Sequence, residues 1–545
     1  MAKKFVFRSN QVIGNVSAES DSRYLSSCFI STGDLEILKD CEDPRNILVG
    51  RTGSGKSALI LRLAEEEDHV IQISPESLSL SYIANSDIIR FFYEAGVKMD
   101  LFFKLLWKHI FCVEFLKERF KIDCEEKKKT FFEKLWGLVP RNKEYEIALD
   151  YVEKWGESYW REPGYRIQEV TTKFETELRG SVEGKVPNIA ALNVGAAKKL
   201  SEEQKAELTH DAQDVVNSVQ IKQLSDVMKL IGKVLLDDPQ QRYYITIDGL
   251  DENWVEDALR FRLIRALIET SVEFTRINSI KVIVSIRSDL LDRVYRETRG
   301  PGFQEEKFQS CSLNVSWARN HLIEVLDKRI DYLVKEQYTS QVVTHKDLLP
   351  KKIREQLTID YMLERTFMRP RDIIQFFNAC IQKADGKTAI TEAALREADG
   401  VYSRDRLKFL FDEWNVLYPN LSHLFYVLKG RGYQFLVKDL SQTDLDMNAL
   451  QLVISGNGKP GLDYNELIEL RANDHLDFDE YRREIVYIFY KVGLVGLKTG
   501  PAAPISWSHM SGVSVSSSEI TETTKIQIHK AFWRVLGVYD REEPT

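Results

Sequence analysis

The stretch ILVGRTGSGKSALI, residues 47–60, has the residue types and the spacing to hold a phosphate group. Gly50, Gly53 and Gly55 lack a Cβ, so the backbone can adopt positive φ angles and turn its amides toward an anion. The apolar run before these glycines predicts a buried strand. The apolar run after them predicts a helix whose positive N-terminal end points at the same place. The stretch therefore predicts a phosphate-binding loop.

The spacing from Gly50 to Ser57 is the G-x-x-x-x-G-K-[ST] pattern of a P-loop. Lys56 is expected to reach the β and γ phosphates and is also a candidate catalytic residue, and the Ser57 hydroxyl is expected to ligate Mg²⁺. The alternative is a chance glycine turn between a strand and a helix. The predicted nucleotide-binding residues are Gly50, Thr52, Gly53, Ser54, Gly55, Lys56, Ser57 and Ala58.

A second segment, YYITIDGLDE at residues 243–252, supplies acidic residues for the same site. Its apolar run predicts a buried strand, and parallel sheets bind ligands at the carboxyl ends of their strands. We therefore predict that Asp248 joins Ser57 in holding Mg²⁺. Asp251 and Glu252 are the candidate catalytic acids that polarise the attacking water. The alternative for Asp251 is a helix cap, a position that favours Asp.

Two arginines are candidates for sensing the terminal phosphate. Arg287 follows a third apolar run, and its planar guanidinium matches phosphate oxygens. A solvated arginine at a strand end is the alternative. Arg371 lies at the start of a predicted helix, because Pro370 suits a first helical turn, and Arg369 is the competing choice.

The bulk composition bounds the class of protein. The chain has 545 residues, 43% hydrophobic and 29% charged, which predicts a globular protein of several domains. A net charge of -8 gives no overall attraction to nucleic acid or to an anionic membrane. Six scattered cysteines, no apolar leader at the N-terminus and no uninterrupted apolar span lead us to expect a cytoplasmic protein without a membrane segment.

Strand and helix patterns alternate around the glycine-rich loop. This alternation predicts an α/β fold with a parallel sheet that positions these residues. Within residues 80–235 the stretch 173–199 predicts a β-hairpin among helices. The apolar patterns near 483–497 and 525–538 predict a winged-helix-like α+β ending. The predicted divisions are a lead-in with the first half of the ATPase core (1–79), a mainly helical insertion (80–235), the second half of the core (236–314), a helical lid (315–400) and the C-terminal domain (401–545).

With these motifs the chain resembles bacterial P-loop ATPases on the border of the AAA+ and STAND groups, near the NACHT and KAP-type ATPases. The resemblance covers roughly residues 10–400. It implies an ATP-binding, ATP-hydrolysing and magnesium-dependent switch that forms homo-oligomers. It also implies control of an effector partner encoded nearby, often in anti-phage defence. Gly249, where AAA+ unfoldases place an acid, departs from the pattern.

A different class of function is an ATP-dependent DNA-binding initiator or clamp, which the winged-helix-like ending suggests. Between Lys438 and Tyr481 ten acidic residues accompany three basic ones, a balance that repels phosphates. Nucleic acid is therefore not the favoured partner. The basic residues Lys127 to Lys129 and the predicted 173–199 hairpin remain candidates for contacting it. ATP is the expected nucleotide because no N-K-x-D-like guanine-binding motif follows the third apolar run.

Overall fold

The computed structural model describes most of the residues of the chain. They are 5–15, 17–78, 86, 89–91, 99–139, 143–155, 164, 168–169, 171–173, 175–176, 201, 203, 205–206, 210, 222–236, 240–252, 254–299, 306–335, 342–414, 417–418, 421–447, 463–472, 475–510 and 514–539. The predicted 173–199 hairpin lies almost entirely outside them. The chain divides into two compact units. The sheet unit contains 33–51 and 56–315, and the helical unit contains 1–32, 52–55 and 316–545.

The helices and strands follow one another along the chain. They are α1 (Ser22–Cys28), α2 (Asp34–Lys39), β1 (Ile47–Gly50), α3 (Lys56–Glu66), β2 (Val70–Ile73), α4 (Asp100–Phe120), α5 (Glu125–Leu138), α6 (Lys143–Trp155), α7 (Lys222–Leu230), β3 (Tyr243–Ile247), α8 (Asp257–Phe274), β4 (Ile280–Arg287), α9 (Ser288–Glu297), α10 (Glu306–Gln309), β5 (Ser312–Asn314), α11 (Arg319–Lys335), α12 (His345–Leu348), β6 (Lys352–Ile353), β7 (Gln356–Leu357), α13 (Thr358–Leu363), α14 (Pro370–Lys383), α15 (Glu392–Trp414), α16 (Leu421–Leu424), β8 (Gln434–Leu436), α17 (Asp463–Ala472), α18 (Phe478–Val492), β9 (Val495–Lys498), β10 (Lys525–Ile528) and α19 (Trp533–Leu536).

The sheet unit is built on five parallel strands in the order β2-β3-β4-β1-β5. Strands β1 and β3 are buried along their whole length, as parallel strands covered on both faces require. The predicted parallel α/β sheet is therefore confirmed. Strand β5 was not predicted, because three residues are too few to show a period.

Helices pack on this sheet through an extensive apolar core. Helix α4 buries residues on nearly all of its faces, and Trp107 donates its indole N–H to the Leu263 carbonyl of α8 at 2.9 Å. A helix that is apolar all round is buried in a protein core or a membrane. Among the described residues, no helix has the length and apolar run needed to cross a membrane.

The helical unit has two apolar cores, one around α11 and α14 and one around α15, α18 and the C-terminal strands. The segment 315–400, predicted as a helical lid, is mainly helical but also contains the antiparallel pair β6 and β7. Helix α15 runs unbroken from 392 to 414, so the predicted boundary at residue 400 lies inside a helix. Gly400 sits within this helix with no neighbour closer than 4 Å to an added Cβ, and it does not end the helix.

The C-terminal strands form a separate antiparallel sheet in the order β8-β10-β9. Helices α17 and α18 lie between β8 and β9 in sequence, and α18 ends at Gly493 in the left-handed conformation that favours glycine. At Gly496 an added Cβ would lie 2.6 Å from Ile505 and 2.8 Å from Trp507. The absence of a side chain there lets the connection after β9 pack closely on the strand.

Candidate functional site

The carboxyl edge of the parallel sheet brings the two motif segments of the sheet unit together. Helix α3 begins directly after the glycine-rich loop, and Asp248 follows the last residue of β3. The Ser57 hydroxyl donates to Asp248 Oδ2 at 2.7 Å although 191 positions separate the two residues. Strand β4 lies between β1 and β3. The side chains therefore meet across the end of an intervening strand.

Lys56 folds back onto its own loop. Its ammonium donates to the Gly50 carbonyl at 2.9 Å and to the Arg51 carbonyl at 3.3 Å. Burial lowers the pKa of Lys56 to about 8, because the charged form loses solvation, while Asp248 and Asp251 oppose that shift. The lysine is thus close to titration near neutral pH. Among the described residues, its ammonium donates to two carbonyl groups that an anion could replace.

Acidic side chains surround Arg287, which ends β4. Its guanidinium donates to Asp289 at 3.0 and 2.8 Å and to Asp251 at 3.3 Å. The Arg287 side chain is 16% exposed, whereas the Asp251 side chain is 44% exposed. We call Lys56, Ser57, Asp248, Asp251 and Arg287 the carboxyl-edge cluster. It joins residues from two strand ends and the P-loop in one charged group.

The turn after Asp248 depends on glycine. Gly249 has a φ angle of 81°. Its amide donates a hydrogen bond to Asp248 Oδ1 at 3.0 Å, and its carbonyl accepts one from the Glu252 amide at 3.2 Å. An added Cβ would lie 3.5 Å from the Glu252 carboxyl group. The departure from an acid at this position therefore has a structural reason, since the turn that carries Asp251 and Glu252 uses a positive φ angle.

The middle of the loop, Thr52–Gly55, groups with the helical unit. Gly53 and Gly55 have φ angles of 76° and 101°, as predicted for two of the three glycines, whereas Gly50 is a strand residue that ends β1. Gly50 thus corrects the expectation of a positive φ at all three positions, because pairing with Arg287 keeps it extended.

Two residues of the helical unit contact this part of the loop. An added Cβ on Gly53 would lie 2.7 Å from the Arg371 side chain, so the arginine packs directly on the glycine. The Trp317 indole donates to the Ser54 carbonyl at 2.6 Å. Sequence reasoning did not single out Trp317, since no motif surrounds it. Burial lowers the pKa of Arg371, and the neighbouring charge of Arg369 adds to that effect.

Arg369 holds the loop from the start of α14. Its guanidinium donates to the Thr52 carbonyl at 2.5 Å and pairs with Asp372 at 3.1 Å and Glu413 at 3.5 Å. Arg406 of α15 pairs with the same two acids, at 3.8 and 3.3 Å. We call Arg369, Asp372, Arg406 and Glu413 the buried charge network. Their side chains are at most 5% exposed.

Asp372 is the centre of the buried charge network. It also accepts the Phe367 amide at 2.9 Å. Burial opposes ionisation of this carboxyl, but Arg369 and Arg406 outweigh burial and lower the pKa of Asp372 to about 2. Both arginines also lie over the Phe367 ring, at 5.1 and 4.8 Å from its centroid. The network is therefore ionised at neutral pH and closely packed.

The residues present fit a magnesium-bound nucleotide. The Ser57 hydroxyl and the Asp248 carboxylate are oxygen ligands of the kind Mg²⁺ prefers. Within the described part of the chain, the buried hydroxyls of Thr52 and Ser54 have no hydrogen-bond partner. Buried polar atoms normally have one, so these two hydroxyls are suited to accept a ligand.

The predicted site residues are thus found in two groups. Lys56, Ser57, Asp248, Asp251 and Arg287 lie together in the sheet unit, where Ala58 follows in the first turn of α3 and Glu252 is exposed beside the turn. Thr52, Gly53, Ser54 and Gly55 lie with Arg371 in the helical unit. The predicted helix start at Pro370 is confirmed. The functional roles of all these residues stay predictions.

Comparison with known proteins includes the following similarities. Residues 320–410 match the family described as the FunZ-associated C-terminal helical domain. The chain is 21% identical over 540 residues to the putative transposon gamma-delta 80.3 kDa protein of Escherichia coli K12, covering 96% of this chain and 67% of that protein. Among solved structures it is similar to the Walker-type ATPase PABY2304 of Pyrococcus abyssi, with 12% identity, a TM-score of 0.34, and coverage of 91% of this chain and 95% of that chain.

Proposed function

We propose that the protein binds ATP with Mg²⁺ at the P-loop and hydrolyses it to ADP and phosphate. The hydrogen bond from Ser57 to Asp248 carries this proposal, because it joins the two motifs that must share one metal ion. The bound Mg²⁺ would supply charge neutralisation at the phosphates.

Lys56 and Ser57 would exchange partners when nucleotide binds. Lys56 leaves the Gly50 and Arg51 carbonyls for phosphate oxygens, and it takes up a proton above pH 8 because the anion stabilises the ammonium. Ser57 releases Asp248, so that both oxygens become available to the metal. The loop amides and the Thr52 and Ser54 hydroxyls orient the phosphates.

Glu252 is the better candidate for the residue that activates water. Asp251 accepts a hydrogen bond from Arg287 at 3.3 Å, so its carboxylate is already engaged by the arginine. Glu252 is exposed beside the Gly249 turn, at the same strand end as Asp248. Arg287 would sense the terminal phosphate by leaving Asp251 for it. This exchange also frees Asp251 as a second base.

The two arginines at the start of α14 would have different roles. Arg369 is committed to the buried charge network and to the Thr52 carbonyl. Arg371 packs directly on Gly53, in the middle of the glycine-rich loop. Arg371 is therefore the proposed sensor, and Arg369 the residue that ties the loop to α14 and α15.

We propose further that the ATPase is a nucleotide-dependent switch. Its support is the chain of contacts inside the helical unit: Thr52 to Arg369, Arg369 to Phe367, and Phe367 to His529 of the C-terminal region at 4.8 Å between ring centroids. A change at Thr52 would reach the C-terminal sheet along this path. Homo-oligomers, control of an effector protein encoded nearby and a part in anti-phage defence belong to the same proposal and rest on the family resemblance alone.

Turnover measurements test the enzymatic proposal. Magnesium-dependent release of phosphate from ATP is expected for the parent protein, with slower release from GTP and none above background from Lys56→Ala. Arg62→Ala, in the same helix α3, is the matched control and should keep parent activity. Equal phosphate release by the parent and Lys56→Ala would refute the proposal.

The second candidate function is an ATP-dependent DNA clamp. Two observations support it. Among the described residues, helices α17 and α18 lie between β8 and β9 in sequence and β10 lies in the middle of the C-terminal sheet, an arrangement compatible with the predicted winged-helix-like ending. The name of the E. coli relative refers to a transposon. Against it, the N-cap and first turn of α18 carry the acids Asp477, Asp479 and Glu480, which would repel DNA phosphates.

A salt titration of duplex DNA binding separates the two functions. The clamp predicts measurable binding in low salt and a steep loss of affinity as salt rises, because phosphate contacts release counterions. The switch predicts no measurable duplex binding at any salt concentration. Asp479→Lys would serve as a positive control for the charge argument, since it reverses one acidic position on α18.

A further inference from the structure

A cavity of about 610 Å³ opens in the sheet unit at the opposite end of β4 from Arg287. It is lined by helix α4, by the end of α7 with the π-helical turn Ile231–Leu235 that continues it, and by the turn 276–279 before β4. Seven residue steps along β4 place it roughly 23 Å from the carboxyl-edge cluster. The cavity is therefore a separate place from the proposed nucleotide site, and its volume lies in the range of small-molecule pockets.

The walls of the cavity combine apolar and basic side chains. Met228, Leu236 and Ile277 form the apolar part, and Asn278 adds an amide. The basic side chains outnumber the acidic ones, with Lys108, Lys229, Lys233 and Arg276 against Glu273 alone.

Glu273 does not neutralise all of the basic side chains that line the cavity. Glu273 is paired with Lys108, and Lys229 is paired with Asp226 at 2.8 Å. For Lys233 and Arg276, the described part of the chain contains no ion pair or hydrogen bond to the side chain. Two positive charges thus face the cavity without a local counter-charge from its lining. An anion bound there would gain electrostatic attraction, and its apolar part would be removed from water.

The π-helical turn forms part of the cavity wall. Gly232 lies in this turn, and an added Cβ would be 3.7 Å from Ile277, an ordinary contact distance. A larger side chain at Gly232 would extend toward Ile277 and fill the space.

We propose that this cavity binds a small organic anion, a molecule with an apolar or aromatic body and a phosphate, sulfonate or carboxylate group. Met228, Leu236 and Ile277 contact the apolar body, and Lys233 and Arg276 bind the charged group. The site is independent of nucleotide binding at the P-loop.

A fluorescent probe of this chemistry, 8-anilinonaphthalene-1-sulfonate, tests the proposal on the full chain. We expect saturable binding at one site. The Lys233→Glu and Arg276→Glu double variant should bind the probe about tenfold or more weakly, because two attractive charges become repulsive. Gly232→Leu should remove the binding by filling the cavity. Lys127→Glu, an exposed lysine of α5, is the matched charge control and should bind like the parent.

Two further binding measurements test the charged group and the apolar body of the ligand separately. Inorganic phosphate and the uncharged analogue N-phenyl-1-naphthylamine should each bind more weakly than the sulfonate, since each offers only one half of the interaction. Unfolding curves show whether the charge-reversed double variant and Gly232→Leu are folded. If one of them is not folded, probe binding by the other one tests the proposal. Parent-like probe binding by both folded variants, or equal binding of the uncharged analogue, would overturn the proposal. All of these proteins keep residues 50–57 unchanged, so the result does not depend on the proposed ATPase.

Discussion

The carboxyl-edge cluster and the buried charge network are both rich in ionised side chains, but they differ in exposure. In the carboxyl-edge cluster the Asp251 side chain is 44% exposed and its bond to Arg287 measures 3.3 Å. In the buried charge network Asp372 is fully buried and has several short partners. Exposed pairs contribute little to stability and exchange partners easily, whereas removing one member of a buried pair leaves a charge without solvent or partner. The comparison indicates that one group can respond to a ligand and the other holds the scaffold.

Substitution in the buried charge network should have the largest effect. We expect Asp372→Asn to lower the free energy of unfolding by about 3–5 kcal/mol, because Arg369 and Arg406 would share the single acid Glu413. Denaturation in urea measures this change. The control is Asp360→Asn, which removes an exposed pair with Arg319 and should cost under about 1 kcal/mol.

The acidity of Asp372 adds a dependence on pH. Its pKa is lowered to about 2, so its contribution to stability is complete above its ordinary pKa of 3.8 and is lost as the pH falls toward 2. The difference between the parent and Asp372→Asn should shrink over that interval. A difference that stays constant down to pH 2, or equal losses in the Asp372 and Asp360 variants, would contradict the contrast between the two groups.

At the turn beside the carboxyl-edge cluster, Glu252→Gln should have the next largest effect. Loss of a general base lowers turnover by about 10²–10⁴-fold, and nucleotide affinity should be retained. Asp251→Asn should lower turnover less, because Asp251 is paired with Arg287. Single-turnover hydrolysis and equilibrium binding of ATP measure the two quantities. A greater loss of turnover in Asp251→Asn than in Glu252→Gln would contradict this assignment and identify Asp251 as the general base.

The titration of Lys56 should have a smaller effect. Its pKa is about 8 in the free protein and rises when phosphate stabilises the ammonium. Binding then takes up a proton above pH 8, so ATP affinity should be constant below that pH and about tenfold lower at pH 9 than at pH 7. Lys56→Arg, whose guanidinium does not titrate in this range, is the control and should show no such fall. A parent affinity that stays flat up to pH 9 would contradict the assigned role of Lys56.

Local patterns predicted the parts of this structure whose causes are local. The apolar runs predicted strands β1, β3 and β4, and Pro370 predicted the start of α14, because burial on both faces and a fixed φ angle leave clear marks in the sequence. The approach of Ser57 to Asp248 followed from the two motifs taken together.

Features that depend on distant packing could not be predicted. Arg369 and Arg371 are two positions apart and look equivalent in the sequence, but only the fold places Glu413 and Arg406 beside Arg369. Trp317 contacts Ser54 without any surrounding motif. The pairing of Arg287 with Asp251 joins two candidates that sequence reasoning had given separate roles.

The most direct test of the central claim is a double-mutant cycle on ATP affinity, with and without Mg²⁺, for the parent, Ser57→Ala, Asp248→Asn and the double variant. If the two side chains share one metal ion, Mg²⁺ should strengthen ATP binding by the parent, each single variant should lose most of that gain, and the double variant should lose little more. Losses that add independently, or ATP binding by the parent that Mg²⁺ does not change, would contradict the account.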